Sequence, residues 1–89
     1  MSFKILLHPK AAQFLKKAHP STRERIKACL KELEEAPEKK GEQLKPSTFW
    51  RLRIGDYRVI YDIDAHRRIV VILYAGHRRD VYDDFSRLI

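Results

Sequence analysis

Residues 50–61 read WRLRIGDYRVIY, and this stretch decides the fold. Apolar and polar side chains alternate on both sides of Gly55-Asp56, which is the pattern of two strands joined by a two-residue turn. Counting outward from the turn predicts the cross-strand pairs: Ile54 with Tyr57, Arg53 with Arg58, Leu52 with Val59, Arg51 with Ile60, and Trp50 with Tyr61. The stretch therefore predicts an antiparallel β-hairpin whose register is set by its turn.

This register separates the side chains of the hairpin onto two faces. The first face is apolar and suited to packing under helices: Trp50, Leu52, Ile54, Tyr57, Val59, Tyr61 and Ile63. The second face is mixed: Phe49, Arg51, Arg53, Arg58, Ile60 and Asp62. Like charges facing each other destabilise a sheet, so Arg53 opposite Arg58 indicates a cluster that binds phosphate. The alternative is an ordinary solvated face, whose arginine stems cover Phe49 and Ile60.

The elements around the hairpin predict one α+β domain spanning residues 1–89. They are a strand at 3–7, a helix from Pro9, a second helix from a Ser21/Glu24 capping box to Ala36, a loop at 38–47, an internal strand at 69–75 and a last helix at 80–89. The order β-α-α-β-β-β-α predicts a helical hairpin packed on one face of a small, twisted, mostly antiparallel sheet.

Composition narrows the class of protein. Cys29 is the single cysteine, and no Cys/His spacing is typical of a zinc site, so we expect no disulfide, metal or other cofactor. The 19 Lys and Arg exceed the 12 Asp and Glu, and the formal charge of +7 favours an anionic partner such as nucleic acid, a ribosome or an acidic protein. The first apolar run is too short for a signal sequence or a membrane span, which predicts a cytoplasmic protein that does not bind membranes.

A second informative segment, GHRRDVY at residues 76–82, follows the internal strand. If that strand pairs beside the strand of Arg58, its exit brings Arg78 and Tyr82 towards one end of the arginine face. The alternative is a polar loop in which Arg78 pairs with Asp80 and Tyr82 borders the core.

Three segments, Leu44-Lys45, 49–61 and 76–82, together resemble the RelE/ParE toxin superfamily and are close to its RelE-type members. The resemblance covers essentially the whole chain. It implies the toxin of a type II toxin–antitoxin system acting in the stress response. Such a toxin is an endoribonuclease that enters the ribosomal A site, cleaves mRNA by attack of the nucleotide's own 2′-OH, and so inhibits translation. The implied partners are the ribosome, mRNA and a RelB-like antitoxin, with the toxin monomeric alone and hetero-oligomeric with its antitoxin.

The resemblance also implies catalytic roles for individual residues. Arg58 and Arg78 match arginines that stabilise the charge of the phosphorane, and Tyr82 matches a tyrosine that stacks on or orients the mRNA base. Arg51 and Arg53 match a pair of basic positions on the first hairpin strand, where some relatives have lysines.

The general base is left open by these matches, because arginine is a poor base. Histidine is the side chain that titrates near neutral pH, which makes His77 the alternative acid or base. The other interpretation of His77 is a structural hydrogen bond at the strand end.

Basic residues outside the arginine face are expected to contact RNA: Lys10, Lys17, Arg25, Lys27 and Lys45. Taken singly, those on the helices are also explained as parts of solvated helical faces. Two further functions remain open, since fold does not determine function. One is ParE-like inhibition of DNA gyrase without nuclease activity, and the other is a degenerate member that only binds its antitoxin or RNA.

Overall fold

A computed structural model describes residues 2–81 of the chain. In this range the elements are β1 Lys4–Leu7, α1 Pro9–Lys17, α2 Pro20–Glu32, α3 Pro37–Lys40, β2 Glu42–Gln43, β3 Trp50–Ile54, β4 Tyr57–Asp64 and β5 Ile69–His77. The strands form one mixed sheet in the order β1-β5-β4-β3-β2. β1 is parallel to β5, and the other neighbours are antiparallel. The predicted α+β class is confirmed, whereas the helix predicted at 80–89 lies, beyond its first two positions, outside the described residues.

The hairpin has the predicted register at all five pairs, from Ile54 with Tyr57 to Trp50 with Tyr61. Gly55 begins the turn with a φ of 60°. A residue without a Cβ adopts this angle at no steric cost, which is why glycine is favoured at this turn position. The turn therefore determines which side chains of β3 and β4 share a face.

The two long helices begin with a histidine cap. In α2 the Nδ1 of His19 accepts a hydrogen bond from the Ser21 amide at 3.2 Å, and Pro20 occupies the first helical position. α1 begins in the same way after His8. The predicted capping box of Ser21 with Glu24 is wrong, because proline is preorganised for the first turn and moves the cap back to His19.

Both helices pack on the face of the sheet that the hairpin pattern predicted to be apolar. The buried residues of this core are Phe3, Ala11, Leu15, Ile26, Leu30, Leu33, Ile54, Val59, Tyr61, Val70, Ile72 and Ala75. Arg23 at the start of α2 donates hydrogen bonds to the carbonyls of Leu15 at 2.9 Å and Ala18 at 3.1 Å, which ties the two helices together at their connection.

The segment after α2 is more structured than the predicted loop. α2 ends at Glu32 rather than at Ala36, and Pro37 starts a short helix instead of following one. The buried hydroxyl of Tyr61 donates a hydrogen bond to the Pro37 carbonyl at 2.7 Å. β2 then pairs with β3 along two residues. The hydrogen bond from Tyr61 and the pairing with β3 attach residues 37–43 to the sheet. The elements of this segment are too short to show a hydrophobic period in the sequence.

Candidate active site

The face of the sheet opposite the long helices carries a second, smaller apolar cluster. Ile60, Tyr74 and Val81 are buried there, and Leu44, Phe49 and Leu73 pack against them. Ile60 is only 1% exposed. This face is therefore partly buried rather than fully solvated. The charged residues lie around the edges of its apolar cluster.

Arg53, Arg58 and Gly76 lie side by side on β3, β4 and β5 at the end of the sheet that carries the hairpin turn. Arg53 is exposed and Arg58 is half-buried. The predicted juxtaposition of two like charges is confirmed. Because Gly76 presents no side chain, the space beside Arg58 on this face is open to a neighbouring group.

The guanidinium of Arg58 is held against the turn. Its Nη1 donates hydrogen bonds to the carbonyls of Gly55 at 2.7 Å and Tyr57 at 2.8 Å. An arginine has five N–H donors on a rigid planar group. Two bonds from one nitrogen orient the whole plane, so the group is positioned before any anion binds.

Arg78 is attached to the next residue of the same turn. Its amide donates to the Asp56 carbonyl at 2.8 Å, and its Nε lies 3.8 Å from Asp56 Oδ1. Its ion pair is therefore with Asp56 and not with Asp80, as the polar-loop alternative required. The exit of β5 thus brings Arg78 to the end of the sheet where Arg58 lies, as the sequence predicted.

Arg51 is not part of this group. Its side chain is 12% exposed, and its Nη2 lies 2.6 Å from Glu42 Oε1. Because Glu42 pairs with Arg51 across the β2–β3 ladder, the ion pair holds the short strand β2 on the sheet. The structure gives this predicted catalytic residue a structural contact, away from the turn.

A shallow cleft of about 290 Å³ opens at this same edge of the sheet. Its lining residues are Lys40, Gly41, Glu42, Arg51, Leu52 and Arg53. The cleft lies where β2 stops pairing and leaves the rest of β3 as an edge. Arg53 is the one member that also belongs to the row with Arg58.

His77 lies on the opposite face from Arg58. It pairs with Tyr57 across β4 and β5, with ring centroids 5.7 Å apart, and Tyr57 packs with the helices. The His77 Nδ1 accepts a hydrogen bond from the Arg79 amide at 3.2 Å. Side chains alternate along a strand, so a residue next to Gly76 must face away from Arg58. The structure thus places His77 on the face away from Arg58, an arrangement that fits its interpretation as a structural hydrogen bond, and its role as an acid or base stays a prediction.

Tyr74 was missed by sequence reasoning. The β4–β5 register pairs Ile60 with Tyr74 but Tyr61 with Ile72, which leaves Leu73 as the extra residue of a bulge. A Cβ atom on Gly76 would overlap the Tyr74 hydroxyl. The tyrosine hydroxyl thus occupies the open space beside Arg58. The glycine two residues after an aromatic residue is the signal that indicates this close approach.

The remaining basic candidates lie on the surface. Lys10, Lys17, Lys27 and Lys45 are exposed. Arg25 differs from them because its guanidinium contacts Gly55 of the hairpin turn. Tyr82 lies outside the described residues.

Metal and thiol chemistry receive no support from the described part of the chain. Between residues 2 and 81, no three His, Cys, Asp or Glu side chains are grouped as metal ligands. Burial, with the nearby Glu32 carboxylate, raises the pKa of the Cys29 thiol, and this outweighs the opposite effect of Arg25. A raised thiol pKa disfavours the nucleophilic thiolate. In the same range, no helix is long and apolar enough to cross a membrane.

Comparisons with known proteins agree on one family of folds. Residues 5–82 match the family model described as the ParE toxin of the type II toxin–antitoxin system parDE. A chain of the RelBE2 toxin–antitoxin complex from Mycobacterium tuberculosis is 26% identical, with 88% of this chain and 100% of that chain covered and a TM-score of 0.81. A chain of the archaeal RelE–RelB complex from Pyrococcus horikoshii OT3 is 25% identical, with 88% and 97% covered and a TM-score of 0.75.

A third solved structure supports the fold alone. The isolated RelE toxin of Escherichia coli is 20% identical, with 98% of this chain and 99% of that chain covered and a TM-score of 0.77. Among curated protein sequences there is no match.

Proposed function

Because the chain belongs to the ParE toxin family of type II toxin–antitoxin systems, we propose that it is a toxin of the RelE type that cleaves mRNA in the ribosomal A site. The observation that carries this proposal is the attachment of Arg58 and Arg78 to consecutive residues of one turn, with Arg53 beside them. A nuclease must stabilise negative charge on a reacting phosphate. A protein that only blocks an enzyme by binding it has no such requirement.

The proposed reaction is attack of the ribose 2′-oxygen on the adjacent phosphorus. A bond forms between the 2′-oxygen and phosphorus, the bond to the 5′-oxygen breaks, and a proton passes from the 2′-OH to a base while the leaving 5′-oxygen gains one. Arg58 and Arg78 bind the non-bridging oxygens, whose charge increases in the transition state. The half-buried position of Arg58 strengthens this interaction, because charges interact more strongly away from bulk water.

The exposed Arg53 is proposed to contact a neighbouring phosphate and hold the strand in register. We assign Arg51 no phosphate contact in this proposal, because its Nη2 is engaged by the Glu42 carboxylate. We keep the proposal that Tyr82 stacks on an mRNA base, since the described chain reaches Val81, which is buried against Tyr74 on the arginine face.

The antitoxin is proposed by analogy with the structural relatives, which are RelE–RelB complexes in Mycobacterium tuberculosis and Pyrococcus horikoshii. We propose that a RelB-like protein holds this toxin inactive in a hetero-oligomer and that the toxin alone is a monomer. A net charge of +7 favours an acidic antitoxin. Action on ribosomes places the proposed activity in the cytoplasm.

In vitro translation followed by primer extension on the mRNA tests the nuclease. Wild type is expected to produce ribosome-dependent cuts, and Arg58→Ala and Arg78→Ala are each expected to reduce them at least 100-fold, the effect of removing about 3 kcal/mol of charge stabilisation. Arg67→Ala is the matched control, because Arg67 is an exposed arginine paired with Asp64 at the far end of β4. Unchanged cleavage in the Arg58→Ala/Arg78→Ala double variant contradicts the site.

Gyrase inhibition is the second candidate, and the ParE description of the matched family favours it. A supercoiling assay with purified DNA gyrase separates the two functions. Inhibition of supercoiling by wild type, together with the absence of mRNA cuts, would establish the ParE-like function instead.

A further inference from the structure

A helix also contributes a guanidinium to the hairpin turn. Arg25 lies in α2 and is exposed. A Cβ atom placed on Gly55 would lie 2.7 Å from Arg25 Nη2, 2.9 Å from Nη1 and 3.0 Å from Cζ. Three similar distances mean that the flat side of the guanidinium covers the glycine. The absence of a side chain at this position is what permits the approach.

Gly55 is therefore contacted by two arginines at once. Its carbonyl accepts the hydrogen bond from Arg58, while its Cα lies under Arg25. Arg78 is attached to the next residue, Asp56. Three elements that are far apart in sequence, α2, β4 and the segment after β5, thus direct one arginine each to a two-residue turn.

This convergence is electrostatically unfavourable in the free protein. Like charges repel each other, by about 1 kcal/mol for a pair about 4 Å apart in water and by less at longer range. Asp56 offsets part of this for Arg78. Within residues 2–81, the ion pairs do not include Arg25. Such an arrangement becomes favourable when an anion with several charges binds along the turn.

The shape of the surface favours RNA over an acidic peptide as this anion. A hairpin turn projects from the end of a sheet, and its two carbonyls already accept hydrogen bonds from Arg58 and Arg78. An extended peptide binds best in a groove or along a free strand edge, and the free edge of β3 precedes the turn that Arg25 contacts. A single RNA strand carries phosphates along its length and needs only a surface with cations at intervals.

From these contacts we propose that Arg25 extends the phosphate site around the end of the hairpin. The RNA strand held at Arg58 and Arg78 continues over the Gly55-Asp56 turn, and a neighbouring phosphate contacts Arg25 on the helical side. The inference rests on the proposed function for the identity of the anion. It gives Arg25 a defined contact with the substrate strand, in contrast to the general attraction expected of the exposed lysines.

Binding of a short oligouridylate to the purified toxin, measured without ribosomes at several salt concentrations, tests this inference. Each phosphate contact on a single strand adds about 0.7 to the slope of log affinity against log salt concentration. Arg25→Gln is expected to weaken binding several-fold at low salt and to reduce the slope by about 0.7. Arg25→Lys keeps the charge and is expected to restore the slope.

Lys31→Gln is the matched control. Lys31 is an exposed cation on the same helix, six residues and about 9 Å further along its axis. It is expected to keep the wild-type slope. Equal slopes in wild type and Arg25→Gln, or equal reductions in Arg25→Gln and Lys31→Gln, would overturn the inference. So would an Arg25→Gln variant that binds RNA normally but loses affinity for polyglutamate, because that result identifies an acidic protein as the partner.

The readout separates this inference from the proposed nuclease. An Arg25-dependent salt slope in a protein that makes no cuts on ribosomes supports the RNA path and contradicts the nuclease. Ribosomal cuts that require Arg58, with no effect of Arg25 on RNA binding, support the nuclease and contradict the path. Thermal unfolding of Arg25→Gln should match wild type, which verifies that the variant is folded.

Discussion

Arg78 and Asp56 form an ion pair across the end of the sheet, with Nε 3.8 Å from Oδ1. A main-chain hydrogen bond of 2.8 Å joins the same two residues. Both side chains are largely exposed, at 61% and 67%, so the ion pair contributes little to stability. Its main effect is to place a carboxylate next to an arginine that is proposed to bind phosphate.

Asp56→Asn is therefore expected to strengthen binding of single-stranded RNA. Removing the carboxylate frees Arg78 for phosphate and increases the positive potential at the turn. We expect affinity to rise about twofold to fivefold at low salt, the equivalent of roughly 0.5–1 kcal/mol. Asp64→Asn is the matched control, since Asp64 is also a turn aspartate paired with an arginine, Arg67, but at the other end of β4. Equal gains in the two variants would show that only net charge matters.

Gly76→Ala tests the close approach of Tyr74 to the strand beside Arg58. The new methyl group would overlap the Tyr74 hydroxyl and lie 2.6 Å from its Cζ. The tyrosine must then move, and we expect the free energy of unfolding to fall by about 1–3 kcal/mol in a urea titration. Ribosomal cleavage is expected to fall as well, because the displaced ring lies next to the proposed phosphate site.

A double-mutant cycle distinguishes this specific overlap from a general effect of the added methyl group. Combined with Tyr74→Leu, the Gly76→Ala change is expected to cost at least 1 kcal/mol less than in wild type. Strictly additive costs would mean that the methyl group is accommodated without moving Tyr74.

The hairpin could be predicted to the residue because its determinants are local. The two-residue turn sets the register, and the register sets the faces. The same alternation, continued into β5 from Gly76, would also have placed His77 opposite Arg58. The bulge at Leu73 has no comparable signal, since the run from Ile69 to Ala75 is apolar at every position.

Long-range contacts account for the elements that the sequence did not predict. α3 depends on a hydrogen bond between Tyr61 and Pro37, which are 24 positions apart. The two-residue strand β2 is held through Glu42 and Arg51. Alternation placed Arg51 on the face of Arg53, but it carried no information about an acidic partner from a segment without periodicity. Local patterns therefore predicted which side chains share a face better than which of them lie close together.

High pH is expected to destabilise the fold through Tyr61. Burial, and less so the Glu38 carboxylate, raises the pKa of this tyrosine to about 12, although a backbone hydrogen bond with Gly41 acts in the opposite direction. An unfolded tyrosine has a pKa near 10. The folded state thus favours the neutral phenol. This stabilisation is complete below about pH 10 and is lost as the pH rises through about 12, with at most about 3 kcal/mol involved.

The test measures the free energy of unfolding of wild type and of Tyr61→Phe from about pH 8 to about pH 12. This range spans the tyrosine pKa values of the unfolded and the folded state. Phenylalanine cannot ionise, so the advantage of wild type over this variant should shrink across the interval, while lysine titration affects both proteins alike. A pH-independent difference for Tyr61→Phe contradicts the prediction.

The cap of α2 gives the last prediction. His19 Nδ1 accepts a hydrogen bond from the Ser21 amide at 3.2 Å and lies 2.9 Å from the Ser21 hydroxyl. An N-cap side chain satisfies an amide that has no partner within the helix. His19→Ala is expected to lower the free energy of unfolding by about 1 kcal/mol, whereas His19→Asp supplies another acceptor and should recover most of the loss. His66→Ala, an exposed histidine in the β4–β5 turn, should have no effect. An equally destabilised Asp variant would show that the imidazole acts by packing rather than as the acceptor.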